Sequence, residues 1–252
     1  MSNAQEAWRT LGLGALGIAL FLLAWELIGL NRLAGLSWPA FSTVIDYALQ
    51  PPRYPMFGRA MGATFTTVAV GYVSGAVLGI VLAGAVHVVT WFRPGVDRLA
   101  SVIHSIPPIA LAPLLIVLIN RDSTGIVIAA LNVFFILYVA TGSGLNASSK
   151  THRDLFQVLG ARPSTRLMRL DFPAALPAMV GGLKYAVPAA FIGAILGEWF
   201  GSSRGLGLLM VSAMQNFQIP LLWSAVLIAS TSSLLLFGLM SLLEQSVRRR
   251  NR

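Results

Sequence analysis

GATFTTVAVGYVSGAVLGIVLAGAVHVV, residues 62–89, runs for 28 residues without one Asp, Glu, Lys or Arg. A helix crossing about 30 Å of hydrocarbon needs roughly 20 such residues, and only a helix or a closed barrel can satisfy its backbone there. The run therefore reads as a membrane span. The rest of the 252-residue chain agrees, with 56% hydrophobic and 11% charged residues against about 25% charged in an ordinary soluble domain.

Working outward, comparable runs lie at 11–30, 106–119 (a shorter one), 125–145, 178–200 and 219–243. The fold class is an all-α membrane protein with about six transmembrane helices, and six spans use about 120 residues. The first run follows Arg9 with no small-residue cleavage site, so it reads as a retained helix, not a signal peptide. Neither a repeat nor a low-complexity stretch divides residues 1–252, which read as a single membrane domain.

Net charge is +9, and its placement is informative. Arg9, Arg93, Arg98, Lys150, Arg153, Arg162, Arg166, Arg169 and the tail Arg248, Arg249, Arg250 and Arg252 fall on one side. Arg32, Arg53, Arg59, Arg121 and Arg204 fall on the other, and Lys184 sits inside the fifth run. The positive-inside rule then makes both termini and the 146–177 loop cytoplasmic. Basic residues neither interleave with aromatics nor form one patch, so no nucleic acid is expected as a partner; membrane lipid is. The opposite loop, 31–61, holds Pro39, Pro51, Pro52 and Pro55 and should be irregular apart from a short interfacial helix after Ser42.

Gly71, Gly75, Gly79 and Ala83 recur every four residues in the second run, as do Ala189, Gly193, Gly197 and Gly201 in the fifth. Such stripes let helices approach closely, within one subunit or at a moving or dimeric contact. The third run opens at His104-Ser105-Ile106-Pro107-Pro108 and contains Pro113, and Pro188 lies at the middle of the fifth. Prolines free carbonyls that need protein or a water-filled cavity, so these helices, with Asn132, Tyr185 and Asn216, are the pathway candidates, although a packing kink explains Pro113 and Pro188 equally well. Glu26, Glu198, His87 and Lys184 lie near helix ends, where snorkelling accounts for them.

Catalytic chemistry finds little support. The chain has no cysteine, three separated histidines and no phosphate-cradling Gly-x-x-x-x-Gly-Lys-Ser/Thr, which leaves no zinc-hydrolase, thiol-nucleophile or ATPase constellation. A channel or secondary carrier needs ion-coupling groups deep in the membrane, and few are present.

The loop 146–177 reads NASSKTHRDLFQVLGARPSTRLMRLDFPAALP. Its pattern predicts a helix over 151–159, a stop at Gly160, a restart near Pro163 and Ser164, and an end before Pro173. Leu155, Phe156 and Leu159 share a face at helical spacing. From periodicity alone that face could lie on the bilayer, on the protein's own helices, or on a partner.

This loop resembles the EAA loop of ABC-importer permeases: Glu-Ala-Ala, three residues, Gly, nine residues, Ile-x-Leu-Pro. Asp154, Gly160, Leu170, Phe172 and Pro173 stand at the matching places, while Leu155 and Phe156 replace the usual alanines. The resemblance continues through SWPAFSTV at 37–44, SIPPIALAPLLIV at 105–117 and GEWFGSSRGLGLLM at 197–210. Together these are similar to the subfamily importing nitrate, sulfonates, taurine, bicarbonate or thiamine-precursor pyrimidines.

The resemblance implies a type I ABC importer permease fold in a bacterial inner membrane. It implies two permease copies or paralogues, a cytoplasmic ABC ATPase dimer holding ATP and magnesium, and an extracytoplasmic substrate-binding protein, with no cofactor on this chain. Asp154, Leu155, Phe156, Gly160 and Ala161 would then carry the ATPase contact, and the binding protein would dock on loops including 31–61 and 201–207.

Overall fold

The computed structural model describes residues 3–250; of the basic tail, Arg252 and the side chains of Arg248 and Arg250 lie outside the described residues. The chain forms α1 (Asn3–Leu30), α2 (Phe41–Ala48), α3 (Tyr54–Val88), α4 (Arg93–Ser105), α5 (Pro108–Leu118), α6 (Arg121–Leu145), α7 (Lys150–Val158), α8 (Pro163–Arg166), α9 (Phe172–Trp199), α10 (Leu206–Gln215) and α11 (Ile219–Arg250). Among the described residues five segments are long and apolar enough to cross a membrane, and a bent pair makes a sixth.

At the centre, α6 is sandwiched between α3 and α9, and side-chain size explains why. A Cβ at Gly75 would stand 2.3 Å from the Ala130 carbonyl oxygen, one at Gly79 2.6 Å from that of Phe134, and one at Gly71 2.7 Å from the Ala129 Cβ. From the other side, a Cβ at Gly193 would stand 2.6 Å from the Ala129 Cα, and one at Gly197 2.2 Å from the Gly125 Cα. Both stripes thus press backbone against α6 within one subunit, which dispersion rewards where lipid offers no hydrophobic drive. Val68, Val133, Leu137, Val187 and Phe191 fill the remaining core.

The third run departs from a straight span. His104 and Ser105 end α4, and α5 turns away from it by 96°. Ile106 and Pro107 are extended, with ψ of 121° and 126°, because a residue before proline is pushed out of the α region and Pro107-Pro108 supplies no N–H groups. At eleven residues, α5 reaches only about 16 Å, half a span. Its companion α3 begins at Tyr54 rather than near residue 62.

The expected break before Pro173 is absent. Leu167–Asp171 widens into a π turn that runs directly into α9; one wider turn accommodates the missing Pro173 N–H without ending the helix. Residues 172–177 therefore belong to α9, which also continues through Pro188.

Ionisable residues are internal ties rather than snorkelling groups. Lys184 pairs with Glu244 of α11 at 2.5 Å, both nearly buried. Glu198, 2% exposed, accepts at Oε2 from the Thr64 hydroxyl (2.9 Å) and the Gly207 N–H (2.8 Å), while Thr64 accepts from the Leu206 N–H (2.8 Å). The carboxylate thereby serves two orphan donors at the start of α10, where negative charge is favoured. Glu26 does the same for α2, accepting from Ser42 N–H (2.9 Å) and hydroxyl (2.6 Å). Beside it, Trp25, Trp38, Phe41 and Trp223 cluster edge to face, and the indoles of Trp25 and Trp223 donate to Pro39 and Ser37 carbonyls at 3.0 Å. These contacts fasten the 31–48 segment onto α1 and α11.

Candidate functional site

Two separate regions carry the polar groups that a transport protein needs. At the end of the bundle where α3 and α6 finish, Ser149 caps α7, its hydroxyl accepting from the His152 N–H at 3.3 Å. The helix closes on Gly160 at φ 65°. The Gly160 N–H donates to Gln157 O and the Ala161 N–H to Phe156 O, both at 3.0 Å, a paired exit that needs a left-handed residue at its turn. Space at Gly160 is open, so the glycine is there for its φ, not for room.

No residue of α7 is buried. Leu155, Val158 and Leu159 are 51, 84 and 72% exposed, whereas Phe156 and Ala161 are half-buried and Asp154 is exposed. The exposed apolar side chains are thus Leu155 and Leu159 of the expected three, joined by Val158, with Phe156 half-buried. The other residues of the helix are Lys150, Thr151, His152, Arg153, Asp154 and Gln157, and it lies outside the membrane-spanning segments.

Behind α7 lies a fully buried carboxylate, Asp171. The Ser148 hydroxyl donates to its Oδ1 at 2.8 Å; His87 Nε2 at 2.9 Å and Arg166 Nε at 3.2 Å meet its Oδ2. Burying a carboxylate is tolerable only with such pairing. Sequence reasoning passed over Asp171; a lone acid at the foot of an apolar span was its only signal, and His87 is 84 positions away.

Of the pathway candidates, Asn132, Tyr185 and Pro188 meet around the middle of α9, while Pro113 and Asn216 lie elsewhere. Pro113 is exposed on α5 and Asn216 is exposed after α10, its amide donating to Ser212 O at 2.8 Å. The Asn132 amide reaches Ala189 O at 3.3 Å. Pro188 lines an apolar groove of about 460 Å³ between α9 and α11 with Phe191, Ile195 and Phe237, and the exposed Tyr185 ring lies 5.9 Å from that of Phe237, tilted by 59°. The larger cavity, about 780 Å³, opens instead at the α10 end, between the starts of α3 and α6, the 202–205 turn and α10. Arg59, Arg204, Asp122, Thr66, Thr67 and Ser212 line it. Asp122 accepts there from the Ser203 N–H (3.2 Å) and hydroxyl (2.9 Å), so the lining sets two guanidiniums against one carboxylate and stays positive.

Known proteins match this chain over most of its length. It is 38% identical over 135 residues to a probable ABC transporter permease protein of Haemophilus influenzae, covering 53% of this chain and 55% of that one. With the formylaminopyrimidine transport permease ThiX of Halalkalibacterium halodurans it shares 31% over 194 residues, 75% of this chain and 76% of that one. With the putative aliphatic sulfonates transport permease SsuC of Bacillus subtilis it shares 25% over 238 residues, 93 and 86% of the two chains. A structure of the MetNI methionine ABC transporter in inward-facing conformation superposes with a TM-score of 0.63 at 18% identity, covering 77% of this chain and 98% of that one, which shows a shared fold. The profile described as binding-protein-dependent transport system inner membrane component matches residues 75–249. Together with five or six apolar spans among the described residues, this places the chain in that family, the multi-pass inner-membrane permeases of ABC importers.

Proposed function

We propose that two copies of this chain, or one and a paralogue, form the pathway of an importer whose ATP hydrolysis takes place in a separate ATPase dimer seated on α7. The observation that carries this is the exposed Leu155, Val158 and Leu159 face on a short polar helix beyond the spans. A rigid helix with an apolar face and a fixed glycine exit can pass a rigid-body push to the bundle. The positive-inside rule puts this end in the cytoplasm and the α10 end outside, where an extracytoplasmic binding protein would release solute near the Arg59 and Arg204 cavity.

The solute is a small polar compound, of the kind carried by relatives named for sulfonates, nitrate and formylaminopyrimidine. Two guanidiniums with hydroxyls around them favour an anionic group. Uptake into proteoliposomes holding the permease, ATPase and binding protein tests both points. Uptake should stop when ATP is withheld, and uptake that persists on an ion gradient alone would contradict the reading. Arg204→Gln should raise the KM for an anionic solute about tenfold and change that for a neutral pyrimidine little; equal effects on both would remove the cavity from the pathway.

A further inference from the structure

The helix α7 has almost no packing of its own, so a push on it must leave through its two chain connections. Those connections meet at one group. Ser148, one residue before the α7 cap, and Arg166, at the end of α8, both bind the Asp171 carboxylate, at 2.8 and 3.2 Å. The segment 149–165 is thus a loop clamped at both ends by a single side chain. Asp171 belongs to the π turn that opens α9, and its Oδ2 is held at 2.9 Å by His87 in the last turn of α3.

We propose that Asp171 is the joint of the coupling machinery: through it a displacement of α7 moves α9 and α3 together, as one body with α6 held between them. The inference rests on the reading of α7 as the ATPase seat. Without the joint, α7 could swing on flexible connections while the bundle stood still, and ATP would be spent without transport. Covalent continuity passes the push to α9, and packing carries it on to α3 through α6; the His87 contact ties the last turn of α3 to the same point directly. Charge-assisted bonds to a fully buried acceptor are suited to this, because they are strong, directional and not replaced by water when pulled.

Two single variants test this directly. The wild-type complex is purified first, and the presence of the ATPase on it is recorded; its absence would overturn the docking reading before any variant is made. Asp171→Asn and His87→Asn are then compared in proteoliposomes for ATPase retention and for solute moved per ATP hydrolysed. Both variants should retain the ATPase while transport per ATP falls about tenfold, the range of ordinary coupling energies. His87→Asn leaves Asp171 its Ser148 and Arg166 partners, so it decides the matter if Asp171→Asn does not accumulate. A wild-type transport-to-ATP ratio in His87→Asn, or loss of the ATPase from it, would each overturn the joint and leave Asp171 a local fastening of the loop.

Discussion

Leu159→Asp is expected to leave the protein inserted and stable while abolishing both ATPase retention and solute uptake. Leu159 is 72% exposed and follows the last turn of α7, so a carboxylate there stays hydrated in the isolated chain and costs the fold almost nothing. In an apolar socket the same carboxylate is unpaired and desolvated. At about 4 kcal/mol that lowers affinity roughly a thousandfold, enough to empty the seat at cellular concentrations. Phe156 is a poorer probe, because it is half-buried and a charge there tests folding as well as docking. Gly160→Pro removes the N–H that bonds Gln157 O and forbids the φ of 65°, so it should lose uptake by misaiming α7. Co-purification and uptake of the Leu159→Asp chain, measured at matched membrane levels, check the expectation. Normal retention would place the apolar face on the bilayer instead.

Gly197→Leu is expected to destroy the bundle, while Gly84→Leu is nearly silent. At Gly197 even a Cβ would lie 2.2 Å from the Gly125 Cα and 2.4 Å from its nitrogen. Backbone cannot rotate away as a side chain can, so α9 and α6 must separate and surrender dispersion contacts along the whole stripe. The cost exceeds about 3 kcal/mol, which for a chain this size lowers Tm by about 10 °C or prevents accumulation. At Gly84, a residue of α3 outside its stripe, nothing lies within 4 Å. Thermal unfolding in detergent, followed by size exclusion, separates the two; equal melting temperatures would show that the stripes do not bear on α6.

How much of this was readable in the chain depended on range. Local rules sufficed for the span at 62–89, the helix after Ser42, the Gly160 stop and the four-residue glycine spacing, since each depends on neighbours within one or two turns. The proline readings had different outcomes, Pro107-Pro108 opening a helix as expected and Pro173 not ending one. Pro107-Pro108 bends its segment by 96°, because two successive missing donors cannot be bridged. Pro173 stops nothing, because a π turn absorbs one.

The ionisable residues were misread as snorkelling since their partners are distant in sequence: Lys184 with Glu244, Glu198 with Thr64, His87 with Asp171. Spacing gives no access to such pairs. The same limit hid the Arg59 and Arg204 cavity, whose walls come from three separate stretches, while of the candidates only Asn132, Tyr185 and Pro188 came together, around the middle of α9. The family resemblance, by contrast, was legible because its motifs are contiguous.

The central claim is that α7 seats an ATPase that drives this permease. A Leu159→Cys chain, otherwise free of cysteine, can be labelled in native membranes with a photoactivatable maleimide, and the adduct identified by mass spectrometry. The account predicts an adduct with an ABC ATPase subunit that disappears when the label is moved to exposed Val117 on α5. Adducts with lipid alone at position 159, in membranes still competent for ATP-driven uptake, would contradict it.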